Sequence, residues 1–80
     1  MREAKETRVD LQIGDGAVTI RRSGSSRVTV ASVLGRETNP GTGKQTIWLD
    51  RAVHRHEETM YVGNQIWRAS GAISTVLTEM

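Results

Sequence analysis

Apolar and polar residues alternate along most of this chain with a period of two, which is typical of half-buried β-strands. In "VDLQI", the apolar residues Val9, Leu11 and Ile13 point to one side, and the two polar residues between them point to the other. The segment "AVTIRR" at 17–22 repeats this alternation, and the intervening "GDG" offers residues that accept positive φ. The pattern therefore predicts two antiparallel strands joined by a tight hairpin turn.

Further alternating runs follow, separated by clusters of glycine, serine and asparagine. After the turn "SGSS", a third strand is predicted over 27–35; its valines change phase, which indicates a bulge at Ala31–Ser32 or two partly covered faces. The longest break is "GRETNPGTGK", and four short strands are predicted after it: "QTIWL", "MYVG", "QIWRAS" and "AISTVL". We expect a hairpin turn at 62–65, a bend at Gly71 and a terminal strand that places three residues on one face: Ile73, Thr75 and Leu77.

This series of short strands predicts an all-β fold. Turns roughly every eight to twelve residues are typical of a small barrel or sandwich, so we expect six to seven short antiparallel strands in an SH3-like or OB-like arrangement. The segment 50–59, "DRAVHRHEET", is expected to be extended or a loop. A chain of 80 residues buries only about 60–65% of its extended surface, so residues 1–80 are expected to form a single domain. Residues 1–7 lack an apolar face and are expected to be flexible.

The composition limits what can stabilise this domain. Apolar residues make up 36% of the chain, phenylalanine is absent, and the large aromatic residues are two tryptophans and one tyrosine. The core of a monomer is therefore expected to be small, and association into a homo-oligomer would enlarge it. Cysteine is absent, so neither disulfides nor thiolate metal sites are available. No run approaches the roughly 18 apolar residues of a membrane span or forms a signal peptide, so we expect a cytoplasmic protein that does not bind membranes.

The segment "NPGTGKQT" at 39–46 contains the Gly-x-Gly-Lys core of a phosphate-binding loop. A Walker loop also requires a glycine separated from the Gly-Lys pair by four residues, and a hydroxyl directly after that pair. Thr38 stands at the first glycine position, and Gln45 stands where the hydroxyl belongs. The β-branched and aromatic residues that follow predict a strand where the motif needs a helix. We therefore interpret the segment as an interstrand loop, with the alternative that Lys44 and Arg36 contact a phosphate or an acidic partner.

Two further groups of residues could support chemistry. His54 and His56 point to one side of an extended segment, and Asp50, Glu57 or Glu58 could complete a zinc site, although no third ligand stands at a defined interval. A solvated surface pair is the simpler interpretation. A Ser-His-Asp triad needs fixed geometry, and the serines lie in turns or strands without a strained nucleophile turn. We expect a protein that is not an enzyme and has no bound metal or cofactor.

The aromatic residues show the most informative pattern. Trp48, Tyr61 and Trp67 each stand in the phase opposite to the aliphatic residues of their own strand. This pattern predicts a sheet with an aliphatic face toward the core and an aromatic face toward a partner. The alternative is a one-residue shift in register, which would place the tryptophans in the core. The predicted binding residues are these three aromatics together with five cations: Arg36, Lys44, Arg51, Arg55 and Arg68.

Three functions are compatible with such a face. Tryptophan, tyrosine and arginine dominate the energetics of protein interfaces, so the leading prediction is a non-enzymatic regulatory or inhibitory protein that docks on a protein partner. The alternative is a nucleic-acid-binding barrel in which the same residues stack on bases and neutralise phosphates. A more distant alternative is an oligomer that sequesters a small anionic ligand. The net charge of +2 does not favour a dedicated nucleic-acid binder.

Overall fold

The computed structural model describes residues 8–80, so the predicted flexibility of residues 1–7 lies outside the described part of the chain. Within the described range there are seven β-strands and no helix. The strands are β1 (Val9–Ile13), β2 (Ala17–Arg22), β3 (Val28–Thr38), β4 (Gln45–Leu49), β5 (Glu58–Val62), β6 (Gln65–Ser70) and β7 (Val76–Glu79). They close into a barrel in the spatial order β1-β2-β3-β4-β7-β6-β5. The predicted all-β barrel is therefore confirmed.

The neighbouring strands are antiparallel, as predicted, at every pair except the one that closes the barrel. There, β1 and β5 run parallel and meet at Asp10 and Tyr61. When strand directions alternate around a ring with an odd number of strands, the last two strands to meet must point the same way. The expectation of an entirely antiparallel sheet is therefore wrong at this one pair.

The β1–β2 hairpin forms where it was predicted, but its turn has a different backbone geometry. The N–H of Gly14 donates to the carbonyl of Ala17 at 2.9 Å. None of residues 14–16 has a positive φ, so that expectation is wrong. The left-handed conformation occurs instead in the β5–β6 hairpin, where Gly63 has a φ of 60°. This second hairpin turn lies at 62–65, as predicted.

The interior of the barrel is filled by the inward-pointing side chains of all seven strands. Val18 and Ile20 point inward on β2 and Val9 and Leu11 on β1, as the alternation predicted. The buried hydrophobic residues of the described chain are Val9, Leu11, Val18, Ile20, Ala31, Ile47, Leu49, Met60, Trp67, Ala69 and Leu77. Within residues 8–80, every buried side-chain nitrogen or oxygen has a hydrogen-bond partner.

Strand β3 places its valines in two phases, as the sequence indicated. Ala31 and Val33 point inward, whereas Val28 and Val30 point outward and are exposed. The pairing with β2 runs without a shift from Val28 to Ser32, so of the two alternatives given for the change of phase, the bulge at Ala31–Ser32 is wrong. A small inward residue fits at position 31 because its partner on β2 is a fully buried valine, and small barrels alternate large and small side chains inside.

The bulge of β3 lies further along the strand. Val33 stands opposite Leu49, and Gly35 stands opposite Trp48, so Leu34 has no partner on β4. After this extra residue, β3 continues to pair with β4 up to Thr38. The loop between the two strands is therefore shorter than the predicted break and covers only residues 39–44.

The chain between β6 and β7 forms a loop where a strand was predicted. Gly71 has a φ of 117°, a conformation that residues with a side chain rarely adopt, and the predicted bend at this position is confirmed. Strand β7 then begins only at Val76. Thr75 and Leu77 are buried, but Ile73 is exposed to solvent, so the predicted three-residue face is wrong at Ile73.

Three loops lie at the end of the barrel where β2, β4 and β6 finish, which we call the upper end: 23–27, 50–57 and 71–75. The fully buried Thr75 joins two of these loops. Its N–H donates to the carbonyl of Arg51 at 3.1 Å, and its hydroxyl accepts from the N–H of Val53 at 2.7 Å. The segment before β5 is therefore a fastened loop, in agreement with the predicted extended or loop structure.

Candidate binding surfaces

The three aromatic residues do not share a face. Trp48 and Tyr61 point outward from β4 and β5, and β7 and β6 lie between these two strands around the barrel. Trp67 points inward from β6 and is only 2% exposed. The predicted aromatic face is therefore wrong at Trp67, and the alternative of a tryptophan in the core holds for this residue alone.

Charge explains why β6 turns Trp67 inward. Ile66 and Arg68 occupy one phase of this strand, and Trp67 and Ala69 occupy the other. Turning Ile66 inward would have carried the guanidinium of Arg68 into the apolar core, where an unpaired charge is very costly. The strand instead exposes Ile66 and Arg68 and buries Trp67 and Ala69, which are both apolar.

An apolar surface surrounds Trp48 on the outside of the barrel. Leu34, the bulge residue, is 70% exposed, and Trp48 is 37% exposed. A Cβ added to Gly35 would lie 3.9 Å from Cε3 of the indole, so the ring lies over the backbone of this glycine. Val76 flanks Trp48 on the other side, on β7. We call these four residues the Trp48 patch: Leu34, Gly35, Trp48 and Val76.

Next to the Trp48 patch, two polar side chains cover the edge of β3 beyond the end of β4. Asp50 Oδ1 accepts from the N–H of Ser32 at 3.1 Å, and the guanidinium of Arg51 donates to the carbonyl of Val30. Charged side chains at such an edge prevent it from pairing with the strand of another molecule. The predicted binding residue Arg51 therefore lies beside the patch and also protects a strand edge.

Tyr61 belongs to a separate, polar wall of the barrel. The guanidinium carbon of Arg8 lies 4.3 Å from the centre of the Tyr61 ring, a cation–π contact. The same guanidinium contacts Asp10, with 2.8 Å between Nε and Oδ1, and donates to the carbonyl of Gly63 at 2.7 Å. An arginine thus covers one face of the tyrosine ring, and this ring does not extend the Trp48 patch.

The loop that contains Gly-x-Gly-Lys binds its own backbone amides. Asn39 Oδ1 accepts from the N–H groups of Gly41 and Thr42 at 2.8 and 3.2 Å, and the Asn39 carbonyl accepts from Gly43 at 2.7 Å. The N–H of Lys44 donates to the Thr42 hydroxyl at 3.2 Å. A phosphate-binding loop needs such amides to point at the ligand. The interpretation as an interstrand loop is therefore confirmed.

The predicted cations are dispersed over the barrel. Arg55 lies in an upper loop and Arg51 at the β3 edge, whereas Arg68 lies on β6, Arg36 near the lower end of β3 and Lys44 in the β3–β4 loop. The structure does not bring them together around one aromatic face. Their role in binding stays a prediction.

The His54 ring fastens two upper loops to each other. Its Nδ1 lies 2.7 Å from the Thr75 hydroxyl, and its Nε2 lies 3.0 Å from the Gly71 carbonyl. Because a carbonyl only accepts, we assign the proton of the neutral ring to Nε2, which leaves Nδ1 to accept from Thr75. His56 lies nearby in the same loop, but no three His, Cys, Asp or Glu side chains within residues 8–80 are close enough to hold a metal ion.

A cleft of about 550 Å³ opens at the upper end, beside β2 and the loop that follows it. None of its lining residues is aromatic, and Ile20 is the one aliphatic residue among them. We call it the arginine cleft after the residues that dominate its lining: Arg22, Arg27 and Arg55, together with Ser25 and Ser26. Of these residues, the sequence had indicated only Arg55 as a binding residue.

An ion pair fixes one wall of the arginine cleft. Arg22 Nη2 donates to Glu58 Oε1 at 2.7 Å, and these side chains are only 18% and 17% exposed. The N–H of Arg55 donates to the same carboxylate oxygen at 3.0 Å. Burial alone would raise the pKa of Glu58, but the hydrogen bonds from Arg22 and Arg55 and their two positive charges together lower it below its ordinary value of 4.5. Glu58 is therefore ionised at neutral pH and holds the Arg22 side chain and the Arg55 backbone in place.

Sequence reasoning missed Arg22 and assigned Glu58 only to a metal site, although the alternation contained the signal. Arg22 shares the inward phase of Ile20 on β2, and Glu58 shares the inward phase of Met60 on β5. Two opposite charges that both point toward the end of one barrel can be expected to pair, because an unpaired charge is costly there.

Comparison with known protein families, with curated proteins and with solved structures gives no match to this chain. In the part of the chain that the structure describes, no helix has the length and hydropathy needed to cross a membrane. Function is therefore inferred from the surfaces of the barrel itself.

Proposed function

We propose that this protein is a small non-enzymatic regulatory or inhibitory protein that docks on a protein partner through the Trp48 patch. The observation that carries the proposal is the β3 bulge, which leaves Leu34 70% exposed next to the residue that faces Trp48. Bulges often redirect side chains at functional sites. Because the residue opposite Trp48 is a glycine, the indole is not enclosed by a neighbouring side chain on β3.

The surroundings of the Trp48 patch have the composition of a protein interface. Such interfaces combine a central apolar anchor, often tryptophan, with a polar rim that contains arginine. Trp48 and Leu34 supply the apolar centre, and Arg51 with Asp50 supplies charge of both signs at its border. The proposed partner therefore offers an apolar pocket for the indole and a polar border around it.

The arrangement of the aromatic residues favours this function over base stacking. Proteins that bind single strands place several aromatic faces along one groove. Trp67 is inside the barrel, and Tyr61 lies on a wall separated from Trp48 by two strands. One exposed tryptophan among aliphatic residues supports an anchor for a protein pocket better than a row of stacking platforms.

The test compares two aspartate substitutions at exposed aliphatic positions on opposite walls of the barrel. Leu34→Asp changes the Trp48 patch, and Ile66→Asp on β6 is the matched control because Ile66 is also exposed, at 47%. A partner captured by the wild-type protein is identified and then titrated against all three proteins. We expect Leu34→Asp to weaken its binding by at least about tenfold, since a desolvated carboxylate opposes an apolar contact, and Ile66→Asp to change it by less than about twofold.

Two outcomes would contradict the proposal. Equal affinities of the two variants would show that the partner binds elsewhere. Sedimentation of the purified protein provides the second check, because it also tests the predicted homo-oligomer. If the wild-type protein self-associates and Leu34→Asp is monomeric, the occupant of the patch is a second copy of this chain and not a different protein.

A further inference from the structure

We propose that the arginine cleft binds a small, non-aromatic oxyanion with two or more negative charges, such as the phosphate or pyrophosphate group of a phosphorylated compound. The cleft is lined by Arg22, Arg27 and Arg55 at the upper end of the barrel. The Trp48 patch contributes no residue to it, so this inference does not depend on the proposed docking function.

The charges of the cleft are not balanced by the residues around them. Glu58 neutralises Arg22 through a direct ion pair. Within residues 8–80, the guanidinium groups of Arg27 and Arg55 form no ion pair and no hydrogen bond. These two arginines donate hydrogen bonds only through their backbone N–H groups, to Ser25 and Glu58. Two guanidinium charges are therefore left to attract an anion into a concave surface, where the field of the protein is concentrated.

The backbone that carries the arginines is also fixed before any ligand arrives. Glu58 binds the Arg22 side chain and the Arg55 backbone with the same carboxylate oxygen. On the other side, the N–H of Ser25 donates to the Arg22 carbonyl at 3.1 Å, and the Ser25 hydroxyl accepts from the Arg27 N–H at 3.1 Å. These contacts fix the Arg22 side chain and the backbones of Arg27 and Arg55, which lowers part of the entropic cost of binding. Guanidinium groups that line one space suit phosphate oxygens, which they bind through paired N–H donors.

The lining of the cleft selects among anions. A volume of about 550 Å³ lies within the range of small-molecule sites, roughly 300–1,000 Å³, so the cleft has room for more than a single ion. No aromatic side chain is present to stack on a base, and Ile20 offers little apolar surface. The cleft therefore favours a compact phosphate or pyrophosphate group over a nucleobase or a nucleic-acid strand.

The test is calorimetric titration of the full chain with inorganic phosphate and with pyrophosphate at low ionic strength. We expect saturable binding of one pyrophosphate per chain, tighter than phosphate. The double variant Arg27→Ala/Arg55→Ala should weaken pyrophosphate binding by at least about tenfold, because two charge-assisted contacts are lost. The control Arg68→Ala removes a positive charge from the opposite wall and should change the affinity by less than about twofold.

A second variant keeps the test decisive if the double variant is misfolded, as judged by circular dichroism. Ser26→Asp places a carboxylate in the lining of the cleft without removing an arginine, and we expect it to abolish pyrophosphate binding. Non-saturable heat, or equal loss of binding in Arg68→Ala, would overturn the proposal. Tighter binding of a mixed single-stranded oligonucleotide than of pyrophosphate, with a steep dependence on salt, would also overturn it in favour of nucleic acid.

Discussion

The Arg22–Glu58 ion pair allows a quantitative prediction of stability. At a charge separation of about 4 Å and an effective dielectric constant of about 20, two unit charges attract by about 4 kcal/mol, and the desolvation of both groups opposes this attraction. Exposed pairs contribute about 0–1 kcal/mol, and breaking buried pairs costs about 3–5 kcal/mol. Side chains that are 18% and 17% exposed lie between these limits. We therefore expect Glu58→Gln to lower the free energy of unfolding by about 2 kcal/mol at neutral pH.

Urea and thermal unfolding between pH 3 and pH 8 measure this effect. For a domain of this size, about 1 kcal/mol corresponds to a shift in Tm of about 4–8 °C, so Glu58→Gln should lower the Tm by roughly 8–16 °C. The matched control is Asp10→Asn, which removes the carboxylate of the Arg8–Asp10 pair, whose side chains are 49% and 47% exposed. Because solvent screens that pair, the control should cost less than about 1 kcal/mol.

The pH dependence gives the prediction a second signature. The pKa of Glu58 is lower in the folded protein than its ordinary value of 4.5, so the unfolded chain binds protons more readily at this residue. The stabilisation is therefore fully present above about pH 5 and is lost as the pH falls through the folded pKa. The difference between wild type and Glu58→Gln should shrink steadily in acid. Equal costs of Glu58→Gln and Asp10→Asn at pH 7, or a difference that acid leaves unchanged, would refute the reasoning.

Four further substitutions test the fold. In Trp67→Phe, the remaining Trp48 should emit at longer wavelength and be readily quenched by acrylamide, because it is exposed. In Trp48→Phe, the remaining Trp67 should emit at shorter wavelength and be shielded from acrylamide, because it is buried. Identical quenching in the two variants would contradict the described core. Gly71→Ala should cost more than about 2 kcal/mol in urea unfolding, because its φ is positive and the new Cβ would clash with the Ser74 carbonyl oxygen. Thr75→Val should cost about 1–3 kcal/mol in the same assay, because it leaves the partly buried N–H of Val53 without its acceptor. A neutral effect would show that the loop finds another partner.

The alternation of the sequence was sufficient to predict most strands because each strand has one covered and one exposed face. It failed at β6, where Ile66 and Trp67 are both apolar and their contrast with each other says little about which is inside. The decisive information was the charge of Arg68, which shares the phase of Ile66. The cost of burying the charge of Arg68 outweighs the preference of Ile66 for the core, and giving that cost priority predicts Trp67 inside the barrel.

The candidate sites were harder to predict than the strands because they depend on contacts between distant segments. The exposure of Leu34 follows from a bulge that is defined only by the register between β3 and β4. The arginine cleft requires that Glu58 meet Arg22 across 36 positions of the chain. The pairing of β3 with β4 creates the first arrangement, and the pairing of β1 with β5 that closes the barrel brings about the second. A single sequence provides periodicity within strands but no register between them.

Strand β3 contributes to both proposed surfaces without joining them. Thr29, near its beginning, lines the arginine cleft, and Leu34 lies in the bulge on the outside. At about 3.3 Å per residue, these positions are about 16 Å apart along the strand, and Ala31 and Val33 pack against the core between them. A small anion can therefore occupy the cleft without displacing a protein from the Trp48 patch, and the coupling free energy between the sites should be close to zero. Titration of the protein partner with and without saturating pyrophosphate measures it directly. An affinity change of more than about threefold would show that the strand itself transmits the binding of one ligand to the other surface.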